Sequence, residues 1–83
     1  MGIQLLKCRI LKGMFSDERA VVVHRVDGKT TSAFVPMSSV RGNIDQEGQV
    51  EVEVFADHGT TWAVLPTEYR ETLPVNVRDL IAK

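Results

Sequence analysis

Near the start of the chain apolar and charged side chains alternate, with Leu6, Cys8 and Ile10 on one side and Lys7 and Arg9 on the other. A period of two is the mark of a half-buried strand, and it predicts a strand over residues 3–11. Gly13 and the Ser16, Asp17, Glu18 cluster end it. The β-branched run from Arg19 to Val26 is too short for an ordinary helix and predicts a second strand. Asp27 and Gly28 then form a strong hairpin signal, and Thr31 to Val35 is the returning strand.

Pro36 closes that strand, and residues 37–48 read as a connection with room for one helical turn around Ser38 to Arg41. The clearest strand follows. Val50, Val52 and Val54 alternate with Glu51 and Glu53, so the valines face a core and the glutamates face outward. Asp57, His58 and Gly59 turn the chain, Thr60 to Leu65 returns, Pro66 stops it, and Leu73 to Val77 is a last short strand. Arg78 to Ile81 has room for a final helical turn.

Six short strands joined by local turns imply an all-β domain, a small antiparallel barrel of SH3-like or OB-like size. The pattern D-x-x-T-T-x-A-x-x-P recurs at residues 27–36 and 57–66. It fits two similar hairpins from a duplication, and equally two hairpins converging on turn formers, threonine and apolar strand.

Loop chemistry sets the expected registers. With Asp27-Gly28 as a two-residue loop, Ala20, Val22, Ala33 and Val35 share one face, and Val21, Val23 and Phe34 share the other. A three-residue loop at Asp57-His58-Gly59 places Val54 opposite Trp62 and Val52 opposite Val64. Val50, Val52, Val54, Trp62 and Val64 are therefore the expected core. The face of Val21, Val23 and Phe34 is then surplus, to be covered by the loop at Met14 and Phe15, by the tail at Leu80 and Ile81, or by another molecule.

With 83 residues, the chain suits one domain that buries roughly 60% of its unfolded surface. Its single cysteine, Cys8, permits no internal disulfide and suits a reducing compartment, so a cytoplasmic location is expected. The first residues lack the basic and apolar regions of a signal peptide, and no membrane segment is expected. Up to residue 42 there are seven Lys and Arg against three acids, and beyond it three against eight.

Candidate chemistry is sparse. Cys8, His24 and His58 lack the spacing of a metal site, and no cofactor is expected. His24 interrupts a run of valines, which fits a partly buried imidazole or a proton-responsive group. No nucleophile motif accompanies it. Glu51 and Glu53, roughly 7 Å apart on one strand face, superficially suggest paired carboxylates but fit an exposed strand face that pairs with Lys7 or Arg9. The chain is expected to be non-catalytic, a protein-interaction or assembly module that binds another protein or itself, as a homodimer, through Val21, Val23 and Phe34. The alternative is a nucleic-acid-binding barrel using Lys7, Arg9, Lys12, Arg19 and Arg25, with Phe15 or Trp62 stacking on bases.

Overall fold

A computed structural model describes residues 2–83. It contains eight strands: β1 (Gly2–Lys12), β2 (Glu18–His24), β3 (Thr30–Pro36), β4 (Val40–Arg41), β5 (Glu47–Asp57), β6 (Thr60–Val64), β7 (Thr72–Pro74) and β8 (Leu80–Ala82). Together they make one antiparallel sheet in the order β3-β2-β1-β5-β6-β7, curled into a half-barrel, with β4 added to β5 and β8 added to β1. The helical turns expected at 38–41 and 78–81 are short 3-10 turns at Met37–Ser39 and Val77–Asp79. Each delivers the chain into a short strand, β4 or β8, that the sequence pattern did not signal.

The long strands β1 and β5 lie side by side, and alternation decides which residues they bury. Leu6, Cys8 and Ile10 from β1 meet Val50, Val52 and Val54 from β5 inside the curl, joined by Val21, Val23, Ala33, Val35, Ala63, Leu65, Leu73 and Val75. No polar or charged residue is buried among the described residues.

Both hairpins turn differently from expectation. In the first, His24 pairs with Thr30, Arg25 N–H donates to Lys29 O (2.8 Å), and Gly28 N–H donates to Arg25 O (3.1 Å). The loop is thus the three residues Val26, Asp27 and Gly28, with Gly28 left-handed at φ 86°. A two-residue loop of the favoured kind would require positive φ at Asp27, which instead stays on the negative side. Its carboxylate accepts the Lys29 N–H (3.0 Å) and meets Arg25 (3.1 Å), and the Lys29 N–H is the main cause of an Asp27 pKa below the usual value.

The second hairpin has the two-residue loop. Asp57 pairs with Thr60, and His58 (φ 50°) and Gly59 (φ 77°) both take positive φ. Histidine enters the left-handed region more readily than most side chains, and here its Nδ1 lies 2.8 Å from Asp57 Oδ1. The two D-x-x-T-T segments therefore pair with different loop lengths and registers.

A one-residue change of register moves every side chain to the other face. Val21 pairs with Ala33 and Val23 with Thr31, so Val21 and Val23 belong to the core, while Phe34 pairs with Ala20 on the outside. This corrects the expected grouping of Val21, Val23 and Phe34. In the second hairpin Val54 pairs with Ala63, whereas Phe55 pairs with Trp62 and Glu53 with Val64. Trp62 is consequently half-buried on the outer face, stacked on Phe55 with ring centroids 6.5 Å apart, and Val64 is buried as expected but outside the main core cluster.

Cys8 is buried, as its strand face implied, and desolvation, with Glu47 adding repulsion, pushes its thiol from 9.0 up to about 12. The folded thiol stays protonated at pH values where an unfolded one ionises. Folding stability is therefore expected to hold below about pH 9 and to fall as pH rises toward 12. Urea unfolding at pH 7.5 and 10.5 checks this. The Cys8→Ala variant should lose less stability across that interval than the parent, and an equal loss in both would contradict the assignment.

Candidate docking groove

The strands at the two ends of the main order, β3 and β7, do not pair with each other. Near the tip of the first hairpin the seam between them is tied by Val26 N–H donating to Pro74 O (3.0 Å). At the other end it widens into a groove of about 520 Å³, lined on one wall by Phe34, Val35 and Pro36 and on the other by Pro66, Thr67, Glu68, Tyr69 and Glu71.

The second wall is a compact loop. Leu65 N–H donates to Glu71 O (2.8 Å), Thr67 O accepts from Arg70 N–H (3.0 Å), and Thr67 Oγ1 accepts from Glu71 N–H (3.2 Å). Arg70 takes a left-handed φ of 50° and reaches Glu53 Oε2 (2.6 Å). That turn leaves Glu68 and Tyr69 at the loop tip, with Tyr69 84% exposed. Across the groove Phe34 is 50% exposed. Neither expected cover reaches it: Met14 and Phe15 are themselves exposed, and the tail pairs with β1 through Ile81 and Leu5.

The groove is acidic. Asp17 and Glu18 flank the Pro36 end, Glu68 and Glu71 the opposite wall, and none of the four forms an ion pair among the described residues. Glu18 Oε1 does accept the Met14 N–H (3.0 Å). Three other carboxylates are neutralised locally, Asp27 by Arg25, Glu51 by Arg41 and Lys83, and Glu53 by Arg70. Asp45, Glu47 and Asp79 also form no ion pair among the described residues, but they do not line this groove. Glu51 and Glu53 are thus occupied by cations, though not by Lys7 and Arg9, which stand opposite Gln49 and Glu47.

The five basic residues considered for nucleic acid do not converge. Lys7 and Arg25 border a depression of about 370 Å³ with His24 and Arg78, but Glu47 and Asp79 line it as well, and Arg25 is paired with Asp27. Arg9 donates to Asp45 O (3.3 Å). Lys12 and Arg19 stand opposite each other at the far end of β1, where Arg19 is held by the carbonyls of Ser16 and Glu18. Phe15 is exposed on its loop, whereas Trp62 is engaged with Phe55 on another hairpin.

His24 is exposed at the end of β2, and no group of three or more His, Cys, Asp or Glu among the described residues is placed to hold a metal ion. No helix among these residues is long and apolar enough to cross a membrane. No family profile matches the chain, and no curated protein or solved structure matches it either.

Of the residues expected to meet a partner, only Phe34 is presented outward. Tyr69 and the four carboxylates were not singled out from the sequence, because they come from two separated segments that share a groove with Phe34 only after the sheet has curled.

Proposed function

We propose that this chain is a non-catalytic interaction module of a reducing compartment such as the cytoplasm, and that its groove docks a cationic segment of another protein. The observation that carries this reading is the combination of two exposed aromatic rings, Phe34 and Tyr69, with four carboxylates that have no cation of their own. Arginine and lysine suit both features, since the charged head meets carboxylates while the stem or guanidinium lies against an aromatic face. A second copy would bring the same carboxylates against these, so charge favours a different protein over a homodimer through this face.

Each contact at such an exposed site is modest. A surface ion pair contributes about 0.2–1 kcal/mol and a cation over an exposed ring about 0.5–1 kcal/mol. A capped heptapeptide of alternating arginine and threonine is a suitable probe, titrated by calorimetry or fluorescence anisotropy. The double variant Glu68→Gln, Glu71→Gln should keep the parent's thermal midpoint yet bind the peptide up to roughly tenfold more weakly. Added salt should weaken binding to the parent more than to the variant. Equal affinities for parent and variant would remove the groove as the binding site.

A further inference from the structure

We propose that the docked segment binds as an added strand on the outer edge of β3, a statement that rests on the groove being the docking site for a cationic segment. The phase of the β2–β3 ladder is fixed at both ends. Arg25 N–H donates to Lys29 O (2.8 Å), and Met37 N–H donates to Asp17 O (2.8 Å). Antiparallel pairs alternate between bonded and non-bonded positions, so the bonded pairs between these ends are Val23 with Thr31, Val21 with Ala33, and Arg19 with Val35.

The backbone N–H and C=O groups of Thr30, Ser32 and Phe34 consequently point away from β2. Nothing in the sheet receives them, because β3 pairs with β2 alone, and they make no other backbone bond among the described residues. Such an edge is a template for one further strand. Pro36, without an N–H, ends the template at the acidic end of the groove.

Charge orients the added segment. At the tip end of β3 the neighbours are Lys29 and the mutually neutralised Arg25 and Asp27. At the Pro36 end the four carboxylates Asp17, Glu18, Glu68 and Glu71 outnumber one cation, Arg19, whose guanidinium is held by the Glu18 carbonyl and Met37 Sδ. A segment with its cations toward Pro36 matches this gradient. Its backbone would pair with Ser32 and Phe34, and it would fill the open part of the seam that the Val26 to Pro74 bond begins to close.

Two isomers of the arginine–threonine heptapeptide, N-methylated at every arginine or at every threonine, test this. An added strand turns alternate amides toward β3, so methylation of one set removes its hydrogen bonds while the other set remains harmless. One isomer should bind at least roughly tenfold more weakly than the parent peptide and the other about equally. The parent peptide should also slow hydrogen exchange at the Thr30, Ser32 and Phe34 amides. Equal behaviour of the two isomers, whether both bind or neither does, overturns strand addition while leaving the docking groove in place. Failure of the unmethylated peptide to bind overturns the groove itself.

Discussion

Replacing Val23 by lysine is expected to abolish the folded state. Val23 is fully buried on β2, within the cluster that joins β1, β5 and the first hairpin. No carboxylate is buried there to receive an ammonium. Leaving an uncompensated charge in such a place costs several kcal/mol, against a net stability of roughly 3–5 kcal/mol for a chain of this size. Far-ultraviolet circular dichroism at 25 °C should show loss of the strand signal and no cooperative melt. Phe34→Lys, on β3 opposite Ala20, should melt close to the parent, because Phe34 is half-exposed beside four carboxylates. A cooperatively folded Val23→Lys protein would show that the first hairpin has another register.

The second large effect is expected at Gly48. This residue is buried on β5, opposite Cys8 of β1 and next to the short strand β4. A Cβ built on Gly48 would land on the Arg41 carbonyl and on Ile10 Cδ1. The carbonyl is backbone and cannot rotate aside, so β4 must separate from β5 or Ile10 must leave its place in the core. Overpacking of this kind typically costs about 1–3 kcal/mol, which is comparable with the whole stability of so small a domain. Gly48→Ala should therefore lower the urea midpoint steeply. Gly2→Ala, where an added Cβ meets nothing within 4 Å, should leave it unchanged. Similar midpoints for the two variants would contradict the close approach of β4 to β5.

Alternation in the sequence identified the buried sides of the two longest strands, because charged and apolar residues there differ sharply: Lys7 and Arg9 against Leu6, Cys8 and Ile10, and Glu51 and Glu53 against the valines. It could not resolve the first hairpin, where Val21, Val22 and Val23 are consecutive and either face is apolar. The decision there fell to the turn, and turn residues specify a register only when each loop position is assigned correctly. Gly28 takes the third loop position rather than the second, and His58 accepts a positive φ that was expected only of Gly59. Two one-residue errors followed, and they exchanged Val21 and Val23 for Phe34's true neighbours and Trp62 for Ala63.

β4 and β8 were not legible for a different reason. At two and three residues they are too short to display a period. They form because a 3-10 turn lays the chain beside a long strand that already has an open edge. The groove was legible least of all. Its carboxylates look like ordinary solvated residues in sequence, and only the curl of the sheet sets Asp17 and Glu18 across from Glu68, Tyr69 and Glu71.

The most direct test of the docking groove is a map of backbone amide shifts in a two-dimensional NMR spectrum as the unmethylated arginine–threonine peptide is added. The expected shifts fall on Asp17, Glu18, the Ser32 to Val35 segment and the Thr67 to Glu71 loop, and fade in the Glu68→Gln, Glu71→Gln variant. Shifts centred instead on Lys7, His24 and Arg25, or on Ile3 and Phe55, would place binding elsewhere on the barrel and contradict the groove as its site.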